Sequence, residues 1–205
     1  MLLEEIMQRP VWTIAPAARL DEAYRLMRRH NVRHLPVVEG ERLVGIVTDR
    51  DVRALTRPGS GVFGGGTPVH RAMTPDPITA GPRDPVEEAA RLMRRRKVGC
   101  LPVLDGGRLA GIVTVTDLLD ALAHLTGLEK PGSRLVVRVD DAPGRLAHLT
   151  SLVADQGINL LSVLTYTEPA TAYVRIILRL AALDPHPAAA LLRREGFDVV
   201  WPPAP

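Results

Sequence analysis

Gly45-Ile46-Val47-Thr48-Asp49-Arg50-Asp51 decides the fold, because the chain writes it twice. Its near-copy is Gly111-Ile112-Val113-Thr114-Val115-Thr116-Asp117, 66 positions later. The same step carries Met7 onto Met73, Thr13 onto Thr79, Pro16 onto Pro82, Arg25-Leu26-Met27 onto Arg91-Leu92-Met93 and Leu35-Pro36-Val37 onto Leu101-Pro102-Val103. An ungapped offset of this length marks an internal repeat, one supersecondary unit used twice.

Working outward from the first copy, Leu20, Ala23, Tyr24 and Met27 recur at helical spacing up to His30. Leu35-Pro36-Val37-Val38 reads as a short strand, Glu39-Gly40-Glu41-Arg42 as a hairpin turn and residues 43–48 as the return strand. Thr48 or Asp49 is placed to cap a short helix ending near Thr56. Ahead of these lie a helical lead-in over residues 2–7 and a β-prone stretch over residues 10–14. In the second copy, Asp84-Pro85-Val86-Glu87 predicts an N-cap Asp followed by Pro at the first helical position. That helix should run to about Lys97. Strands over 101–104 and 109–114 then flank the turn Asp105-Gly106-Gly107-Arg108, and Thr116 is expected to cap a helix ending near Thr126. Each copy is thus β-α-β-β-α, too small to bury enough apolar surface alone. Two copies should pack with approximate twofold symmetry, leaving matched clefts that the Thr-x-x-Asp ends face.

Between the copies, Arg57 to Pro68 is rich in glycine but lacks the Gly-Lys-Ser/Thr ending of a phosphate loop, and it reads as a linker. Leu128-Glu129-Lys130-Pro131-Gly132 marks a second boundary, beyond which the repeat stops. Residues 134–140 alternate as a strand, and Leu146, Leu149, Leu152 and Val153 form an apolar helical stripe that Gly157 should end. Residues 158–167 and 172–180 make a hairpin around Pro169-Ala170. A last helix runs from Asp184-Pro185 to Gly196, and a final strand covers 197–201. The order β-α-β-β-α-β is a ferredoxin-like split unit. The fold class is therefore α+β, with three parts at 1–66, 67–128 and 133–205.

The chain has 205 residues, 46% of them hydrophobic, which suffices for packed cores. Only 3% are aromatic and the net charge is +3, which argues against nucleic acid, single-strand stacking above all. Cys100 stands alone, so no internal disulfide forms. No apolar run nears the ~18 residues of a membrane span. The start is acidic where a secretory signal is basic. The sequence reads as soluble and cytoplasmic, without a membrane.

Catalytic chemistry finds little support. There is no Gly-x-Ser-x-Gly elbow, no Cys pair and no His-Glu-x-x-His motif. His30 and His34 are four apart, but one ends a helix and the other opens a strand, so no shared metal face results. Asp51 and Asp117 are repeat equivalents in equivalent surroundings, whereas acid–base work needs environments that push two pKa values apart. No catalytic residue, catalytic cofactor or metal is assigned. Arg94-Arg95-Arg96-Lys97 falls late on a helix, where cations suit the dipole, and reads as a solvated face. Met27 and Met93 read as core.

Binding fares better. A Thr at a strand end and an Asp in the first turn of the following helix suit a ribose and its phosphate. The hydroxyl donates to one oxygen, the carboxylate accepts from vicinal hydroxyls, and the free N–H groups of the helix start favour an anion.

These residues carry a resemblance. Arg33-His34-Leu35-Pro36-Val37-Val38 with Gly45-Ile46-Val47-Thr48-x-x-Asp51, and their counterparts in copy two, resemble a tandem of cystathionine-β-synthase (CBS) domains, a Bateman module, from about Met7 to Thr126. The resemblance implies an adenine nucleotide or adenosyl compound in the clefts between repeats. One cleft would use Thr114, Thr116, Asp117 and Ile112, with Val32 and Arg33 lining the base. The other would use Thr48, Asp51 and Ile46, with Val98 and Gly99. Because Arg33 and Arg50 are replaced by Gly99 and Thr116, the two sites need not be equivalent. Asp141-Ala142-Pro143-Gly144-x-Leu146 and Gly157-Ile158-Asn159-Leu160 resemble an ACT domain. That resemblance implies pairing and an amino acid or small metabolite near Asp141, Gly144, Asn159 and Leu160; a ligand-free dimerising unit fits the same residues. The order CBS–CBS–ACT resembles acetoin-utilisation B-type proteins. Two classes of function remain open at this point. One is a homodimeric, non-catalytic nucleotide sensor regulating a metabolic enzyme; the other is a ligand-free structural adaptor for such an enzyme.

Overall fold

The computed structural model describes residues 1–56 and 66–204, so most of the glycine-rich linker, residues 57–65, and the final Pro205 lie outside the described residues. The chain forms two compact units, Met1–Leu119 and Asp120–Pro205.

The first unit contains repeat one and repeat two as far as Leu119, within the last helix of repeat two. After a one-turn helix α1 (Leu3–Ile6), repeat one runs through α2 (Leu20–His30), β1 (His34–Glu39), β2 (Arg42–Thr48) and α3 (Asp49–Thr56). Repeat two follows as a short strand β3 (Thr74–Pro75), α4 (Val86–Arg96), β4 (Cys100–Asp105), β5 (Arg108–Thr114) and α5 (Val115–Leu125). Helix α2 buries Leu20, Ala23 and Met27, with Asp21 and Glu22 in its first turn and Arg28, Arg29 and His30 in its last. Helix α4 matches it with Val86, Ala89 and Met93 inward, Glu87 and Glu88 first and three arginines last. Both charge distributions oppose the helix dipole favourably. Each helix ends on a left-handed residue, Asn31 (φ 52°) and Lys97 (φ 56°). The hairpins β1–β2 and β4–β5 carry the same bulge, at Val37/Val38 and Val103/Leu104.

The 66-residue symmetry extends to single hydrogen bonds. Leu3 N–H donates to the Asp84 carbonyl and Glu4 N–H to that of Pro82; Val69 N–H donates to Ala18 and His70 N–H to Pro16. These bonds reveal an exchange that spacing alone does not show. The lead-in of repeat one folds onto repeat two, and residues 67–75 fold onto repeat one, where Val69 joins the core of Leu20, Met27, Leu35 and Val47. At Gly45 and Gly111 the absence of a side chain makes room for the exchanged methionines, Met73 over Gly45 and Met7 over Gly111. A Cβ at either glycine would collide with the thioether. Ile46, Cys100 and Ile112 form a small cluster between the hairpins, with Val11 packed against it.

Three local expectations are corrected. Residues 10–14 form no strand; Ile14 makes an isolated parallel bridge to Val37, as Ala80 does to Val103. Asp84 does not cap α4. Pro85 is the N-cap residue and the Asp84 carboxylate instead accepts the Gly81 N–H at 2.8 Å. Thr116 does not cap α5, because α5 begins at Val115 and Thr114 already accepts the Asp117 N–H.

The second unit is β6 (Ser133–Asp140), α6 (Arg145–Asp155), β7 (Leu160–Thr167), β8 (Tyr173–Leu180), α7 (His186–Arg194) and β9 (Asp198–Trp201). Its antiparallel sheet has the order β7-β8-β6-β9, the ferredoxin-like arrangement. Alternate residues Leu135, Val137, Val139, Ile176, Leu178 and Leu180 face a core closed by Leu149 and Val153 of α6 and Leu192 of α7. Gly157 (φ 68°) follows α6 as its left-handed terminator. Leu146, expected in the apolar stripe, is 41% exposed. No helix among the described residues is long and apolar enough to cross a membrane.

Candidate ligand clefts

Strand β2 delivers Thr48 to the start of α3, and the helical turn brings Asp51 back beneath it. The Asp51 Oδ2 accepts the Thr48 N–H at 2.9 Å and the Thr48 hydroxyl at 2.6 Å, while Asp51 N–H donates to Thr48 Oγ1 at 3.3 Å. This is a reciprocal capping box. It sets the role of the threonine: its proton goes to Asp51, so Thr48 orients the acid. Among the described residues, Asp51 Oδ1 accepts nothing. Asp51 lines a cavity of about 550 Å³ with Thr48, Ile46, Val98 and Gly99, together with Arg33, His34, Thr74 and Asp76. The structure thus brings together the residues expected for this cleft. Arg33, which the resemblance gives to the second cleft, lines this cavity as well.

The cavity is cationic. Arg33, Arg50, Arg53 and Lys97 line it against Asp49, Asp51 and Asp76. Arg53 is paired with Asp49, which leaves Arg33, Arg50 and Lys97 as the cations facing the space. Lys97, read from the sequence with Arg94, Arg95 and Arg96 as part of a solvated face, comes from the left-handed turn that ends α4 and lines the cavity. Burial, then the Arg33 charge, push the His34 imidazole below its ordinary value of 6.5, and Asp51 opposes the shift. His34 is therefore neutral at pH 7. Below about pH 6.5 the unfolded chain takes up a proton that the folded chain resists. The stability tied to neutral His34 is complete above that value and is lost as pH falls toward the lowered folded value. His34→Gln is expected to flatten this part of the acid dependence of Tm, measured by thermal melts between about pH 7.5 and 5. Cys100, also on the wall, is held inert by burial, its thiol pushed up to about 12.

The second repeat builds the same capping box. Asp117 Oδ2 accepts the Thr114 N–H and hydroxyl, both at 2.7 Å. There the likeness ends. Asp117 is 6% exposed, and its Oδ1 accepts the side-chain amide of Gln8 at 2.7 Å. Thr116 is exposed, Ile112 is buried between the hairpins, and Val32 packs against the core of repeat one. Arg50, Arg53 and Lys97 have Thr116, Leu119 and Asn31 as counterparts, so this side lacks their charge.

In the second unit, Asp141 lines a cavity of about 300 Å³ with Ala142, Arg145, Thr165, Tyr166 and Thr167. The Arg145 guanidinium lies 3.7 Å from the Asp140 carboxylate, and its Nε is buried without a hydrogen bond among the described residues. Gly144 (φ 85°) sets the turn into α6. Asn159 and Leu160 do not join this site. Leu160 pairs with Leu180, whereas Asp141 follows the Asp140–Tyr173 pair at the other end of the sheet. Seven strand residues separate them, roughly 23 Å. Arg145, the x of Asp141-Ala142-Pro143-Gly144-x-Leu146, was the available signal for this cavity.

With this geometry established, the relatives are informative. The CBS domain model matches residues 3–56 and 69–124, and the ACT domain model matches residues 133–195. The chain belongs to the CBS-domain family, as a tandem pair followed by an ACT domain. Both are regulatory domains. The Bacillus subtilis CBS domain-containing protein YhcV is 37% identical over 116 residues, 57% of this chain and 81% of its own length. The inosine-5′-monophosphate dehydrogenase of Korarchaeum cryptofilum is 38% identical over 141 residues, 68% of this chain but 28% of that enzyme. Among solved structures, a Vibrio cholerae protein described as an acetoin utilization protein (AcuB) aligns with a TM-score of 0.55 and 32% identity, covering 63% of this chain and 95% of its own. CBSX2 in complex with AMP gives 0.54 at 29% identity, over 59% and 95%. The CBS domain pair of protein MJ0100, in complex with 5′-methylthioadenosine and S-adenosyl-L-methionine, gives 0.54 at 30% identity, over 63% and 98%.

Proposed function

We propose that this chain is a non-catalytic sensor that binds an adenine nucleotide in the cleft of Thr48 and Asp51. The observation that carries the reading is the Asp51 carboxylate, held by Thr48 through Oδ2 and without a partner on Oδ1 among the described residues, in a cavity that Val98 and Gly99 also line. A carboxylate oxygen so presented accepts from ribose hydroxyls, and Arg33, Arg50 and Lys97 meet the phosphates. The similar structures with AMP and adenosyl ligands support the ligand class. The cationic wall favours a phosphorylated nucleotide over S-adenosylmethionine, which is itself a cation. Isothermal titration of the full chain with AMP, ADP, ATP and S-adenosylmethionine tests this. At least one phosphorylated nucleotide is expected to bind below millimolar, and no heat from any of them would leave the adaptor reading standing.

In the same proposal, the ACT unit contributes a second input, an amino acid or small metabolite whose carboxylate pairs with Arg145. The downstream target is a metabolic enzyme; a link to acetoin utilisation rests on the Vibrio cholerae neighbour. Effector binding regulates by favouring one arrangement over another, which requires different affinities for the two.

The chain is proposed to work as a homodimer. Helix α5 exposes Val115, Leu119 and Leu122, at 47%, 60% and 56%, with the spacing of one helical face. A second copy would cover that face. Light scattering is expected to give twice the 22.3 kDa chain mass, and Leu122→Glu is expected to return a monomer. A monomeric wild type contradicts the dimer.

A further inference from the structure

Within the nucleotide reading above, we infer that the chain carries one open nucleotide cleft, because Gln8 occupies the ligand position of the other. Two sets of contacts place Gln8 and Thr74 in equivalent settings. Gln8 bridges Ile112 in antiparallel fashion, and Thr74 pairs with Ile46 in the same way. Both partners differ by the same 66-residue step. The two backbones therefore present residue 8 to Asp117 and residue 74 to Asp51 from matching positions.

The side chains make the difference. Thr74 ends one atom beyond its Cβ and leaves Asp51 Oδ1 without a partner among the described residues. Gln8 ends three atoms beyond its Cβ, and its amide N–H reaches Asp117 Oδ1 at 2.7 Å. The remaining oxygen, Oδ2, already holds both Thr114 donors. The Asp117 carboxylate is thus satisfied on both oxygens by the chain itself. A primary amide donating to Oδ1 stands in for the ribose hydroxyls that would bind there. Asp117 is correspondingly buried, whereas Asp51 is half-buried beside an open cavity. The charge contrast points the same way, since Arg50 and Lys97 of the open cleft correspond to Thr116 and Asn31.

A ligand entering the second cleft must displace a charge-assisted hydrogen bond before forming its own. This weakens binding there by roughly ten- to hundredfold relative to an open cleft. Gln8 thereby sets the stoichiometry. It also lies on the lead-in of repeat one, so ligand that did enter would disturb the segment that folds onto repeat two.

The experiment is titration calorimetry of the full chain with AMP and with ATP, comparing wild type and Gln8→Thr, the substitution that copies Thr74. Because residue 8 is exposed and its bridge to Ile112 is made through backbone groups, the variant is expected to fold. Wild type is expected to bind one nucleotide per chain and Gln8→Thr two. Adding Asp51→Ala to Gln8→Thr should return the count to one. Two wild-type sites of similar affinity, or a Gln8→Thr chain that still binds one, would overturn the assignment of Gln8 while leaving the first cleft intact. No nucleotide binding by either protein would overturn both this assignment and the sensor reading.

Discussion

Asp51→Ala is expected to lower the affinity for the nucleotide by about a hundredfold or more while leaving the fold in place. Two losses combine. The open Oδ1 disappears, and with it the acceptor for the ribose hydroxyls, at roughly 1.5–3 kcal/mol for each charge-assisted bond. Thr48 also loses the oxygen that receives its N–H and hydroxyl. Breaking the capping box costs about 1 kcal/mol of stability, a small effect beside the loss of binding. Calorimetry and thermal melting on the same sample separate the two. An Asp51→Ala chain that binds AMP as tightly as wild type would remove the acid from the site.

Leu178→Ala carries the second large effect. Leu178 is fully buried in the second unit, on the strand between β6 and β7, against α6 and α7. Truncating a leucine in such a place removes its transfer energy and leaves a cavity, at about 2–5 kcal/mol. A unit of this size has a total stability not much larger. Urea unfolding followed by circular dichroism is expected to show an early transition for Asp120–Pro205. Unchanged unfolding would mean that the core described here does not support that unit.

Much of this architecture was legible from one number, the 66-residue offset. It fixed the repeat, and with it the equivalence of the hairpins, of Thr48 with Thr114 and of Asp51 with Asp117. Periodicity located α2 and α4 because their apolar residues are spaced for one buried face. Side-chain choices at helix starts were harder to read. Asp84 looked like a cap, yet its carboxylate closes a turn on Gly81, a competition that short acids often win locally. Thr116 had the right residue type, but Thr114 comes first along the chain and takes the N–H.

Long-range facts were the least legible. The exchange of lead-ins joins residues far apart in sequence and leaves no periodic trace. Arg33, which the resemblance gives to the second cleft, lines the cavity of Thr48 and Asp51 together with its counterpart Gly99. Asn159 was grouped with Asp141 by motif, although the sheet register puts them at opposite ends. Gln8 did leave a signal. The offset aligns Met7 with Met73, and the next residue breaks the match, Gln8 against Thr74. A long amide stands opposite a short hydroxyl, one step from a matched methionine pair, and that amide reaches Asp117 Oδ1.

The central claim is that Asp51 holds the ribose of an adenine nucleotide. A crystal structure of the full chain grown with AMP tests it most directly. The expected result is one nucleotide per chain, its ribose hydroxyls within hydrogen-bond distance of Asp51 Oδ1 and its phosphate beside Arg33, Arg50 or Lys97. A nucleotide seated away from Asp51, or an empty cleft at millimolar AMP, would contradict the claim.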